Sequence, residues 1–324
     1  MRILLTGSNG QLGNALHAPL GELSQLGQWS QQGSVYAPLR NELDLSNPDQ
    51  LCQCIREFKP DLIINPAAYT AVDLAETEEK LAHAVNAEAP AIMAEEARKL
   101  GAGLVHYSTD YVFDGEKLDQ HGQVIAYLET DATNPQNVYG KTKLAGEQAI
   151  QSSGCRHLIL RTSWVYSLHG KNFLLTILRL ARERDQLRIV NDQWGTPNSA
   201  AWLAETSCSL LADLQQANTP ADWWAEHAGL YHFSAAGKAN WFEFATAIVA
   251  QADRQNKLNK APPALTGISS REYPTPARRP HNSLLGTQKL QDQFALNLPH
   301  WQDCLQECMQ GLDQTATQTA IQTA

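Results

Sequence analysis

The chain has 324 residues, of which 43% are hydrophobic and 18% charged, and its net charge is −9. That length suits about two domains around a well-buried core, and the composition is that of an ordinary globular protein. The acidic balance and the lack of a dense basic run speak against nucleic acid as a partner, and no stretch approaches about 18 apolar residues, which speaks against a membrane span.

In chain order, residues 2–6 (RILLT) read as a strand ending at Gly7, and a helical pattern follows from about Leu12. The opening MRILLTG is a strand and turn rather than an apolar leader, so a cytoplasmic location is expected. Residues 34–37 and 61–65 read as the second and third strands, and the third is preceded by a helix containing LCQCIREF. The Ala-, Glu- and Leu-rich run from Thr77 to Leu100 has helical spacing. GLVHYSTD reads as a strand, YGKTK opens a helix to about Ser152, and residues 157–161 read as a further strand. Such alternation predicts an α/β fold with a doubly wound parallel sheet of the Rossmann type. The polar segments TGSNGQLG, NPAAYT, STDYVF and RTSWVYS all fall at strand carboxyl ends, where such sheets bind ligands.

After about residue 165 the alternation weakens. Residues 173–184 form an amphipathic helix, and short apolar strands such as LRIV and GLYHF alternate with helices beyond it. The expected organisation is a dinucleotide-binding domain over 1–165, to which later segments may return, then a smaller α/β lobe, mainly substrate-binding, over 166–312. A low-complexity tail, frayed in expectation, follows at 313–324. Cys52, Cys54, Cys155, Cys208, Cys304 and Cys308 are expected to be reduced and packed. Cys304 and Cys308 can share a helix face, but no second pair with zinc spacing accompanies them, so no metal site is expected.

Gly7, Gly10 and Gly13 stand at G-x-x-G-x-x-G spacing between a strand and a helix. Glycines there let the backbone turn tightly and approach a pyrophosphate seated at the helix N-terminus. The second strand ends in SVYAPLRNELD, with no acid at its immediate end. Arg40 stands there instead, and its guanidinium suits a 2′-phosphate, which tilts the cofactor from NADH toward NADPH. Asp44 and Leu45 follow where an adenine ring could rest. In YGKTK, Tyr139 and Lys143 lie four residues apart and share one helix face. A nearby ammonium is expected to lower the phenol pKa, so that Tyr139 can pass a proton near neutral pH.

Together these residues resemble the extended short-chain dehydrogenase/reductases, whose catalytic set is a Ser or Thr at a strand end plus Y-x-x-x-K. The match narrows through NPAAYTAVDLAE, STDYVFDG, YGKTKLAGE, RTSWVYS, NDQWGTP and YPTPARRPHNSLL, which lie in order over residues 1–305 and resemble the dTDP-4-dehydrorhamnose reductase family. The resemblance implies hydride delivery from NADPH or NADH to C4 of a nucleotide-linked 4-keto sugar, with Thr109, Tyr139 and Lys143 as the catalytic set and no metal in the chemistry. It implies that Gly10, Gln11 and Leu12 line the pyrophosphate, that Ala67, Ala68 and Tyr69 border the cofactor, and that Tyr107 lies nearby. Substrate contacts are expected from Thr109, Asp110 and Trp164, with Arg279 on the diphosphate and Asn172 and Gln193 as weaker candidates from the second lobe. Trp164 can equally be core, and Arg279 can equally serve a structural ion pair. Some family members carry a glutamate after the third glycine that is tied to a metal-bridged dimer. Ala15 stands there in this chain, so a homodimer is possible without that bridge.

Two alternatives stay open: a reductase of another nucleotide 4-keto sugar, and a non-catalytic NADP-binding regulatory subunit. Related 4,6-dehydratases place Asp-Glu after the catalytic Thr. Here Asp110 is followed by Tyr111, which disfavours dehydration.

Overall fold

The alternating apolar segments form a fully parallel six-stranded sheet in a computed structural model, which describes residues 1–25, 33–215 and 219–312. β1 (Arg2–Leu5) leads into α1 (Gln11–Ser24), and β2 (Ser34–Tyr36) leads into α2 (Pro48–Phe58). β3 (Leu62–Asn65) is followed by α3 (Val72–Ala75), α4 (Glu79–His83), a π-helical turn at Ala84–Glu88 and α5 (Ala89–Leu100). The helical run expected from Thr77 is therefore continuous from Glu79 to Leu100, with one turn wound as a π-helix. β4 (Gly103–Thr109), α6 (Val138–Ser153) and β5 (Arg156–Thr162) complete the first part.

Beyond β5 come β6 (Val165–Tyr166), α7 (Phe173–Glu183), β7 (Gln186–Val190), β8 (Trp194–Gly195), β9 (Asn198–Ser199) and α8 (Ala200–Ala212). α9 (Pro220–His227), β10 (Gly229–His232), β11 (Ala239–Asn240), α10 (Trp241–Arg254), β12 (Ala264–Ile268), α11 (Gln288–Phe294) and α12 (Trp301–Gln310) follow. The tail expected at 313–324 lies outside the described residues.

The strand order is β10-β5-β4-β3-β1-β2. The winding reverses between β1 and β3, and the crevice at their carboxyl ends is where such sheets take ligands. Strand residues alternate between the two faces. Ile3, Leu5, Leu62 and Ile64 pack with Leu16 and Leu20 of α1 and Leu203 and Leu210 of α8. Leu4, Ile63, Leu104 and Ile159 pack on the other face with Ile55 of α2 and Met93 and Ala97 of α5. Every residue of β3 and β4 is buried, as strands covered on both faces must be.

GLYHF is a strand, and it is a later segment that returns to the first sheet. Its first four residues are β10, the edge strand of the large sheet, with Leu230 opposite Ile159 and His232 opposite Arg161 of β5. The chain thus leaves the sheet after β5 and returns to it. A separate core joins Leu174 and Ile177 of α7, Phe244 and Ile248 of α10, and Trp301 and Leu305 of α12. That second body sits at the carboxyl-end side of β5, through β6 and the loop before α7.

Candidate active site

The glycine loop is built by contact distances. Gly7 has φ +61°, a left-handed conformation that favours glycine. A Cβ on Gly13 would fall 2.0 Å from the Gly7 carbonyl oxygen, so the first turn of α1 can press onto the loop only without a side chain there. The loop is also clasped from the second body. Gln11 donates Nε2 to the Val165 carbonyl at 3.3 Å and accepts from the Ser167 hydroxyl at 3.1 Å. His169 Nε2 lies 3.0 Å from the Asn9 carbonyl oxygen.

These elements enclose a cavity of about 530 Å³. Every residue assigned above to the cofactor lines it: Gly7, Gly10, Gln11, Leu12 and Gly13; Arg40, Asp44 and Leu45; Ala67, Ala68 and Tyr69; Tyr107; and Tyr139 with Lys143. Ser108 and Thr162 line it too, and both carry a buried hydroxyl without a protein partner. Orphaned buried hydroxyls facing a cavity suit a polar ligand. Asp44 Oδ1 already accepts from Ser46 Oγ at 2.7 Å and Ser46 N at 2.9 Å, which lowers its pKa.

The middle residue of YGK positions the tyrosine. A Cβ on Gly140 would lie 2.2 Å from the Tyr111 carbonyl oxygen, so glycine lets α6 close against the turn after β4. Asn137 caps that helix, accepting from Gly140 N at 2.8 Å. Tyr139 meets the Tyr111 ring edge to face at 5.5 Å. Burial pushes the Tyr139 phenol up to about 12, against the Thr109 hydroxyl beside it, and the negative field of Asp110 adds to the rise. The expected depression by Lys143 is absent. The Lys143 ammonium points instead to β4, where Nζ lies 3.0 Å from His106 Nε2 and donates to the Tyr107 carbonyl at 2.8 Å. Desolvation brings Lys143 down to about 8, with Glu147 opposing.

The residues assigned to substrate stand outside that cavity. Thr109 donates to Asp110 Oδ1 at 3.0 Å, and burial raises the Asp110 carboxyl to about 6. Trp164 has φ +45° and stacks on Trp241 at 3.6 Å, next to the second core. A Cβ on Gly195 would strike its indole at 2.6 Å. Arg279 Nη2 donates to Asp73 Oδ2 at 2.8 Å, while Nη1 is buried without a protein partner. Asn172 serves as the cap of α7, accepting from Leu175 N at 3.0 Å. Among the described residues no group of three or more His, Cys, Asp or Glu is placed to hold a metal, and no helix is long and apolar enough to cross a membrane.

The family described as RmlD substrate binding domain matches residues 1–314. The dTDP-4-dehydrorhamnose reductase of Shigella flexneri is 45% identical over 302 residues, covering 93% of this chain and 95% of the relative. The chain belongs to the dTDP-4-dehydrorhamnose reductase family. The enzyme of that name from Burkholderia thailandensis is 41% identical over 93% of this chain and 96% of its own length. The Bacillus anthracis reductase, solved in complex with NADP, superposes with a TM-score of 0.81 at 33% identity, covering 95% of this chain and 98% of that one.

For this member of the dTDP-4-dehydrorhamnose reductase family, two side chains escaped the sequence reading. His106 lies within the strand that carries Thr109 but reads as an ordinary buried position. Asn86 sits in the π turn, accepts from Tyr69 N at 2.8 Å and donates to the Tyr69 carbonyl at 3.2 Å, which fixes the NPAAYT loop. Neither has a local signal, because each acts across elements.

Proposed function

We propose that the protein reduces the C4 ketone of dTDP-4-dehydro-L-rhamnose to dTDP-L-rhamnose with NADPH. The observation that carries this reading is the meeting of the glycine cradle, Tyr139 and Lys143 around one cavity, with Thr109 beside the phenol. Gly7, Gly10, Gln11, Leu12 and Gly13 would hold the pyrophosphate, with Ala67, Ala68, Tyr69 and Tyr107 along its flank. Arg40 lines the cavity beside Asp44 and would read the adenosine end, where its guanidinium favours a 2′-phosphate and hence NADPH. Bound there, the nicotinamide supplies the hydride.

The side chains supply the rest. Hydride attack builds negative charge on the ketone oxygen, and Thr109 can hydrogen-bond that oxygen. A phenol held at about 12 stays protonated at neutral pH, which is the form a reduction needs. Tyr139 then gives its proton to the more basic alkoxide. Lys143 would steady the nicotinamide ribose, while Asp110, Trp164 and Arg279 would contact the sugar nucleotide. Residues 166–312 would form most of the substrate-binding side. The reaction would run in the cytoplasm. Ala15 packs against the first core and offers no carboxylate, so a homodimer would form without a metal bridge there.

The test follows nicotinamide absorbance with NADPH and freshly generated dTDP-4-dehydro-L-rhamnose. Rapid oxidation by wild type, and a fall of roughly a hundredfold or more in Tyr139→Phe, are expected. A wild type that binds NADPH and leaves this sugar untouched would reject the reading.

A further inference from the structure

The segment 167–171, between β6 and α7, lies across the glycine loop as a strap. Asn172 folds it from its base, donating Nδ2 to the Ser167 carbonyl at 2.8 Å and to the His169 carbonyl at 3.3 Å. Its Oδ1 meanwhile caps α7. Gly170 turns the strap with φ +74°, and a Cβ there would lie 3.7 Å from Gln11 Cγ, an ordinary contact distance. A carbonyl oxygen only accepts, so His169 carries its proton on Nε2 and donates to Asn9. With the bonds of Gln11 to Val165 and Ser167, the second body is tied to both neighbours of Gly10.

The cavity beneath the strap is unevenly charged. Its lining carries Arg40, Lys143 and Lys171 against a single carboxylate, Asp44. Asp44 belongs to the Arg40 end, where the arginine helps to lower its pKa. Lys143 is engaged by the His106 ring and the Tyr107 carbonyl. Lys171 is exposed, and among the described residues its side chain has no hydrogen bond or ion pair. It directly follows Gly170, so its backbone is held close to the first turn of α1, the positive end of the helix dipole. Two positive potentials on one cavity repel each other until an anion lies between them.

We propose that Lys171 is a ligand of the cofactor pyrophosphate, carried there by the strap, so that the second body holds the dinucleotide at its middle. This rests on the dinucleotide reading of the cavity given above. The glycine loop and the first turn of α1 meet the pyrophosphate from one side through backbone N–H groups. Lys171 meets it from the other as a point charge on a flexible stem, able to follow the phosphate oxygens. The pyrophosphate is common to NADPH and NADH. Lys171 therefore adds affinity without choosing between them, and the choice is left to Arg40 at the adenosine end.

The test measures Kd for NADPH, NADH and ADP by titration calorimetry on the full chain, in wild type, Lys171→Met, Lys171→Arg and Arg40→Met. ADP carries a diphosphate and no 2′-phosphate, so it isolates the middle of the cofactor. Lys171→Met is expected to raise all three Kd values together, by about tenfold. Lys171→Arg keeps the charge and should stay within about threefold of wild type. Arg40→Met should weaken NADPH and spare NADH and ADP. Raising the salt concentration should narrow the gap between wild type and Lys171→Met, because the lost contact is a screened charge. If Lys171→Met binds NADH and ADP within about twofold of wild type, the proposal is overturned and the dinucleotide reading stands. A loss confined to NADPH would also overturn it, since Lys171 would then read the 2′-phosphate. A wild type that binds none of the three would reject the dinucleotide reading itself, and the proposal with it.

Discussion

Arg161 donates from Nε and Nη2 to the two carboxylate oxygens of Glu147 at 2.9 and 2.6 Å, and neither side chain is more than 4% exposed. The pair bolts β5 to α6 one turn beyond Lys143, with the Phe113 ring 5.0 Å from the guanidinium. Removing one partner strands the other charge in a dry interior. Glu147→Ala is expected to destabilise the protein by about 3–5 kcal/mol in urea unfolding. Replacing both, as Arg161→Met with Glu147→Leu, should recover most of that loss, because no bare charge remains. Equal losses in single and double variants would show that the pair itself stabilises the fold.

Glycine at position 13 is a requirement of contact. Gly13→Ala would push a methyl to within 2.0 Å of the Gly7 carbonyl oxygen, and the loop would have to shift. Overpacking of this sort carries about 1–3 kcal/mol of strain. Placed on the cradle, it should raise the NADPH Kd about 10- to 100-fold by titration calorimetry while the far-ultraviolet spectrum stays native. Gly21 in the same helix has nothing within 4 Å of its virtual Cβ. Gly21→Ala is expected to stabilise by roughly 0.5–1 kcal/mol and leave NADPH affinity alone.

The contrast between these positions explains what could be read from the chain alone. The glycine spacing and the Tyr139–Lys143 offset are properties of one loop and one helical turn, so they are visible without a fold. The residues that border the cavity follow strand ends, and strand ends were marked by the polar segments after them. His106 belongs to another class. Its contacts exist only because β3 and β4 set Asn65 opposite it and α6 lays Lys143 over its other nitrogen. GLYHF could be read as a strand, but short apolar strands look alike, and only pairing with β5 reveals which sheet β10 joins. The effect of Lys143 on Tyr139 was misread because sequence spacing predicts proximity but not where a flexible ammonium points, nor how strongly burial acts on the phenol.

Asp110 pays for its position. Burial raises its carboxyl from 3.8 to about 6, against hydrogen bonds from Ser283 and Thr109. Between those values the folded protein keeps a proton that the unfolded chain has released. The stability this group contributes is therefore complete below pH 3.8 and is lost as pH rises through about 6. Asp110→Asn stays neutral throughout. Thermal unfolding should find the variant more stable at pH 7, by on the order of 2–3 kcal/mol, with the difference vanishing near pH 4. Turnover should fall at the same time, since Thr109 and Tyr139 both sit in the field of this carboxyl. A gain over wild type no larger at pH 7 than at pH 4 would show that the native carboxylate ionises without penalty.

Arg279 separates a structural role from a binding one. Asp73 is engaged twice, accepting from Ala277 N at 3.1 Å and from Arg279 Nη2 at 2.8 Å, so it ties the proline-rich loop to α3. The second guanidinium nitrogen, Nη1, is buried without a protein partner, beside Tyr111. An arginine with one arm anchored and one arm unspent suits a phosphate oxygen. Arg279→Met is expected to raise KM for the sugar nucleotide about 10- to 100-fold while the NADPH Kd is unchanged, because Arg279 does not line the cofactor cavity. Asp73→Asn keeps an acceptor for the loop and should leave KM within about threefold of wild type. If the two variants instead lowered the melting temperature alike and spared KM, the arginine would belong to the loop alone, and the diphosphate would need another cation.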